Sequence, residues 1–153
     1  MRILVDGDAF PDLNLIVPLA NKYNIETVIY VDSEHEINLD ATVVLVAVGS
    51  NAVDTRIEND VLSGDVVLTQ DYGVAIICLS KGAFVINQLG YSYSNNKIDF
   101  MMEMRNLNRK MRKHVHIKGP KARTKDDTKR LLEKIEEVIK YRWGVLIEKK
   151  SCL

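Results

Sequence analysis

Four apolar, β-branched runs constrain this chain more than anything else in it: "ILV" 3–5, "TVIYV" 27–31, "TVVLVAV" 42–48 and "DVVLT" 65–69. They are continuous rather than alternating. A strand built from such a run shows apolar side chains to both faces of its sheet, which suits a parallel sheet covered on both sides. "AFVIN" 83–87 predicts a fifth strand.

The segments between the runs carry helical periodicity. From Pro11 to Tyr23 the positions Leu15, Ile16, Leu19, Ala20 and Tyr23 keep helical spacing, with Pro11 near the start, where proline is tolerated. Pro18 is expected to kink or shorten that helix. A short helix after "GSN" should carry Ile57, Val61 and Leu62 on one face and end near Gly64, and another should begin around Tyr72. Two longer helices are expected over 95–112 and 125–142, the second with Leu131, Leu132, Ile135, Val138 and Ile139 as a docking stripe. Alternating strand and helix predicts one α/β domain: a three-layer α/β/α sandwich on a mainly parallel, Rossmann-like sheet. Residues 1–143 form it, and 144–153 are read as a short C-terminal extension, either an extra strand or a frayed tail.

At 153 residues the chain is long enough to bury a core without staples. No apolar run approaches the ~20 residues of a membrane span, and acids interrupt the N-terminus too early for a signal peptide. Cys78 and Cys152 stand far apart with no metal-ligand spacing around either, which predicts a reduced, cytoplasmic setting. Cys78, inside "AIICLS", reads as a core residue.

Acids recur where the runs end. Asp6 follows the first, Asp32 the second and Asp71 the fourth, while Asp54 opens the helix after the third. In open α/β sheets ligands bind outside the carboxyl ends of the strands. Clustered carboxylates repel one another, and a divalent cation removes the repulsion. Oxygen ligands without His or Cys favour Mg²⁺ or Mn²⁺ over zinc, and such ions activate water and stabilise a phosphodiester's leaving oxygen. Each acid also has a plain structural role open to it. Asp6 in "DG" suits a turn, and Asp8 suits the cap of the helix at Pro11. Asn51 with Asp54 resembles a capping box, and Asp71 precedes a helix. A nuclease centre needs Asp6, Asp8, Asp54 and Asp71 to converge, with oxygens able to approach ~2.1 Å from a magnesium ion. An Asp54 or Asp71 turned to solvent or onto a helix cap is the outcome that sinks it.

The formal net charge of zero hides a division. Residues 1–104 hold 5 Lys/Arg against 15 Asp/Glu, and residues 105–153 hold 16 against 6. Arg105, Arg109, Arg112 and Lys113 recur along one predicted helix face, and Lys118, Lys121 and Arg123 extend the patch through "KGPKARTK". Such a patch can neutralise phosphates of RNA or DNA, or simply pair with the acidic part of the chain. Tyr91 and Tyr93 suit either base stacking or packing. His114 and His116 share one side of an extended segment but lack a third ligand nearby.

"RILVDGDAFP", "VDTRIENDVLSGDVVLTQD", "MRNLNRKMR" and "KGPKARTKDDTKRLLEKIE" occur in that order and resemble the YaiI/YqxD family of bacterial proteins through about residue 140. The resemblance implies a PIN-like fold, and PIN-domain proteins include many Mg²⁺- or Mn²⁺-dependent ribonucleases. By motif it implies a set of Asp6, Asp8, Asp54 and Asp71. Asp6 and Asp71 would be the direct ligands, with Asp8 and Asp54 ligating or orienting water. Gly7 stands where alanine is expected, Phe10 where cysteine is, and Asn96 and Asn106 where acids are. Asp32 matches no family acid and is read as a solvated strand end. Thr69 suits packing or a hydrogen bond to substrate or a carboxylate.

Three readings follow. One is a metal-dependent nuclease or phosphoesterase, and another is a non-catalytic nucleic-acid-binding protein that uses the basic 105–130 segment. The third is a phosphatase of the haloacid-dehalogenase type, since "ILVDGDAF" loosely echoes its nucleophile loop. That class needs a later hydroxyl, lysine and paired acid, and no ordered set follows; Asp126 and Asp127 sit in a basic helix start.

Overall fold

The computed structural model describes residues 1–32, 37–49, 51–94, 103, 106 and 122–151, with side chains as far as Arg142. Five strands form one parallel sheet: β1 (Arg2–Asp6), β2 (Glu26–Val31), β3 (Thr42–Leu45), β4 (Val66–Leu68) and β5 (Phe84–Ile86). Their order is β3-β2-β1-β4-β5. The chain therefore moves outward from β1 through β2 and β3, then crosses back to lay β4 on the other side of β1. The junction of β1 and β4 is the switch point of an open α/β sheet.

Period-two alternation sorts the apolar runs into two cores. Ile3, Val5, Ile29, Val31, Val66, Leu68 and Ile86 face one layer, built by α1 (Leu13–Lys22) and α4 (Lys125–Ser151). Leu4, Val28, Tyr30, Val67 and Val85 face the other, built by α2 (Ala52–Asp60) and α3 (Tyr72–Ser80). The result is the expected three-layer sandwich. On α4, Leu131, Ile135 and Ile139 are fully buried, each contributing roughly 1.5–3 kcal/mol of burial. Cys78 is buried, and that burial pushes its thiol up to about 11.

Several local expectations are corrected. Helix α1 is not cut short at Pro18 but continues to Lys22, with Pro18 on the exposed face, where water can meet the carbonyl it leaves unbonded. The buried positions of α1 are Ile16, Val17 and Ala20, while Leu15 is exposed. Leu62 is likewise exposed, beyond the end of α2. The run 42–48 yields a strand only over its first four residues, and β3 is a largely exposed edge rather than a strand buried on both faces. Residues 144–151, expected as a strand or frayed tail, continue α4. Of the helix expected over 95–112, only Glu103 and Asn106 are described, and both are helical.

At the opposite edge of the sheet from the strand ends, Asp65 is 3% exposed and accepts from Arg2 N–H, Arg2 Nη2 and Leu62 N–H at 3.0, 2.8 and 2.9 Å. Charge and hydrogen bonds are both met there. Thr27 on β2 differs: its Oγ1 is buried without a hydrogen-bond partner among the described residues. Burying an unmade hydrogen bond costs on the order of 1–3 kcal/mol. Thr27→Val keeps the shape and removes that cost, so urea denaturation is expected to show a gain of about 1 kcal/mol. An unchanged or lowered midpoint would mean that the hydroxyl is satisfied.

Candidate functional site

Asp6 ends β1 and Asp71 follows β4, so both stand at the switch point. Asp6 alternates to the face of Leu4, which α2 and α3 cover. Asp54 lies in the first turn of α2. Glu58, one turn further along the same helix, joins the group although no sequence motif marks it. The i,i+4 spacing from Asp54 was the signal that could have found it.

These carboxylates are electrically coupled. Burial, then the charges of Asp54 and Asp8, raise the Asp6 carboxyl above the ordinary range, against hydrogen bonds from the Asp8 and Ala9 backbone. Burial and the charge of Asp71 raise Asp54. Burial, Asp54 and Asp71 raise Glu58, with Lys81 opposing. None of the ion pairs among the described residues involves Asp6, Asp54 or Asp71.

Each of the four expected acids nevertheless has a local structural partner or setting. Asp6 builds the expected turn: its carbonyl accepts from Ala9 and Phe10 N–H at 3.3 and 3.1 Å, and its Oδ1 from Asp8 N–H at 3.1 Å. Gly7 donates to the Tyr30 carbonyl at 2.8 Å, and a Cβ on it would lie 2.6 Å from Ile29 Cγ2. The turn thus lies down on the end of β2 and carries Asp8 towards that strand. There Asp8 Oδ2 accepts from Asp32 N–H at 3.1 Å, and Asp8 does not cap α1. Asp32 is half-buried at this contact.

Asp54 gains from the positive end of α2, but the capping box is not formed: Asn51 adopts left-handed backbone and makes no side-chain cap. Asp71 does cap α3, its Oδ1 accepting from Val74 N–H at 3.0 Å, while its own N–H donates to buried Thr69 Oγ1 at 3.1 Å. Charge is therefore gathered, yet no group of three or more His, Cys, Asp or Glu among the described residues stands close enough to hold a metal ion. A preassembled four-carboxylate centre is not what the chain forms, because Asp71 is on a cap and Asp8 is turned to β2.

Of the basic set, Arg105, Arg109, Arg112, Lys113, Lys118 and Lys121 lie outside the described residues, as do His114 and His116. Arg123 is described and engaged: it forms an ion pair with Asp12 and donates from Nε and Nη2 to the Gln88 carbonyl at 3.1 and 2.9 Å. Thr128 Oγ1 adds a bond to Asp12 Oδ2 at 3.1 Å. These contacts pin the start of α4 between the segments that leave β1 and β5. Tyr93 is core, edge-to-face with Tyr72 at 5.7 Å. Tyr91 is exposed, and the Arg130 guanidinium lies over its ring at 4.9 Å. No helix among the described residues is long and apolar enough to cross a membrane.

Comparison with known proteins bears on the whole of this frame. The family model described as "Uncharacterized BCR, YaiI/YqxD family" matches residues 4–141. A "UPF0178 protein" of Clostridium kluyveri is 43% identical over 141 residues, covering 91% of this chain and 93% of its own. Its namesake in Clostridium tetani is 39% identical over 88% of this chain and 94% of its own. In Clostridium perfringens the identity is 37% over 100% of this chain and 99% of the relative. No solved structure matches. The paired Asp6 and Asp8 after β1, the acids that open α2 and α3, and the start of α4 all fall inside the matched span, and the chain belongs to the YaiI/YqxD family.

Proposed function

We propose a reduced site in place of the four-acid centre, which the position of Asp71 on the α3 cap rules out: the chain hydrolyses phosphodiester bonds of RNA or DNA with the help of a divalent cation, Mg²⁺ or Mn²⁺, drawn to Asp6 and Asp54 alone. The observation that carries the reading is the crowding of acids at the strand ends: beyond burial, the charge of Asp54 raises Asp6 and that of Asp71 raises Asp54, with no cation paired to Asp6 or Asp54 among the described residues. In charge, these residues fit such an ion. In number they also suffice, because Mg²⁺ is commonly held by one or two carboxylates, with waters and substrate phosphate completing its shell. A bound ion supplies charge neutralisation at the phosphoryl group and a more acidic water.

The chain's own groups divide the remaining work. Asp6 and Asp54 hold the cation, since neither is committed to a side-chain cap. Asp71 stays on Val74 through Oδ1, and the Glu58 carboxylate, whose hold on a proton is raised by burial and by the charges of Asp54 and Asp71, would take the proton that the attacking water gives up. Asp8 fixes the β1 turn against β2 and acts on Asp6 through space.

The test is a Mn²⁺ titration of the native chain and Asp6→Asn, with labelled single-stranded RNA and DNA. Metal-dependent products from the native chain and none from the variant are expected. Nucleic-acid binding without turnover under any divalent ion would favour the non-catalytic reading instead. Cleavage that survives the substitution would remove Asp6 from the mechanism.

A further inference from the structure

Among the described residues, the β3 edge of the sheet is open in a way the β5 edge is not. Beyond β5 the chain turns back: Asn87 N–H donates to the Tyr91 carbonyl at 2.9 Å, Tyr93 N–H to the Val85 carbonyl at 2.8 Å, and Ile86 bridges Ser92 antiparallel. On β3 the register with β2 and the bond from Val46 N–H to the Val31 carbonyl turn the backbone of Val44 and Val46 inward. Val43 and Leu45 therefore direct their N–H and C=O groups outward, away from β2.

The side chains along this edge are as inviting as the backbone. No charged residue occurs from Thr42 to Ser50. Natural edge strands are guarded by Lys, Pro, bulges or cover. Here Val43 is 41% exposed, Leu45 59% and Val48 87%. Beside the strand runs a groove of about 430 Å³ against α2, lined by Leu45, Ala47, Asn51, Thr55 and Asn59.

We infer that two copies of this chain join through their β3 edges, pairing antiparallel about Val44 into one continuous sheet of ten strands. A twofold axis at Val44 places Val43 opposite the partner copy's Leu45 as a hydrogen-bonded pair, and Val44 opposite itself as a non-hydrogen-bonded pair. Val43, Val44 and Leu45, the residues nearest the axis, are all apolar and meet one another across it, so a second copy is their natural complement. Charge agrees as well. The edge from Thr42 to Ser50 carries no charge, so two copies meet there without like-charge repulsion. A four-residue ladder alone falls short of the roughly 1,200–2,000 Å² of a stable interface. The pairing is therefore a weak one, formed only as the concentration rises into the micromolar range. Because the β5 edge is occupied among the described residues, the pairing closes at two copies and does not propagate.

Sedimentation of the native chain across the micromolar range is the test, with a dimer expected at a Kd on the order of 1–10 µM. Leu45→Lys places two like charges near the axis at an exposed site and should weaken association roughly 100-fold with the melting temperature of the monomer unchanged. In a Cys152→Ser background, Val44→Cys should crosslink on mild oxidation, since facing residues of a non-hydrogen-bonded pair lie about 4.5 Å apart, within disulfide reach. A native chain that stays monomeric, a Leu45→Lys dimer as tight as the native one, or assemblies beyond two copies would overturn the inference. Failure of the Val44 crosslink in a dimer would overturn the register.

Discussion

Asp6→Asn is expected to lower Mn²⁺-dependent hydrolysis by at least ~100-fold and, at the same time, to raise the melting temperature of the metal-free protein. Both effects have one origin. Asp6 is held partly buried beside Asp54 and Asp8, so its charged form is disfavoured in the fold. The amide keeps the Oδ1 acceptor for Asp8 N–H and discards the charge. A stabilisation of about 1 kcal/mol is typical when such a functional strain is relieved. The pH dependence has a fixed sign. Asp6, Asp54 and Glu58 bind protons more tightly folded than unfolded, because burial and their neighbours' charges raise all three. The stability they contribute is complete below the ordinary carboxylate range and is lost as pH rises through their raised folded values. Metal-free melting curves from about pH 4 to pH 8 should therefore fall at the upper end from this cause, less steeply for Asp6→Asn. Added Mn²⁺ should lift the native curve only where the carboxylates are ionised. A variant that melts lower than the native chain and keeps its response to Mn²⁺ would contradict the assignment.

Gly90→Ala is expected to cost about 4 kcal/mol or more, enough to leave much of the chain unfolded. Gly90 has φ +86°, and a Cβ there would lie 2.5 Å from Leu131 N, 2.6 Å from Arg130 C and 2.8 Å from Arg130 O. All three are backbone atoms of α4, so no side chain can swing aside. The turn is fixed from the other side too: Asn87 Oδ1 accepts from Leu89 and Tyr91 N–H, and Arg130 Nη1 donates to the Leu89 carbonyl at 3.1 Å. The helix must lift, and with it Leu131, Ile135 and Ile139 leave the core. Urea denaturation measures the loss. A midpoint within ~0.5 kcal/mol of native would show that α4 docks without this contact.

The fold was legible in the runs 3–5, 27–31 and 65–69 because a strand in the middle of a parallel sheet writes its burial on every residue. It was less legible at β3. "TVVLVAV" looks as buried as its neighbours, but an edge strand has cover only where a helix reaches it, and sequence does not show sheet order. Strand-end logic put Asp6 and Asp71 at the carboxyl ends of β1 and β4, where they stand, and the crossover after β3 put Asp54 in the first turn of α2. Asp8 was harder, since alternation would keep it beside Asp6, whereas Gly7 lets the chain collapse onto Ile29 and Val31 and swing it to Asp32. Tyr93 reads as an exposed loop aromatic until the return past β5 tucks it under Tyr72.

The bond from Val74 N–H to Asp71 Oδ1 also makes a gauge of the site. The first turn of α3 is stapled by the same carboxylate whose charge presses on Asp54 and Glu58. Anything that draws that oxygen away unfastens one amide, and anything that quiets the surrounding charge lets the staple hold. The solvent-exchange lifetime of a single hydrogen, on Val74, is thus set by events at the strand ends, and would register occupancy there without any chemical turnover.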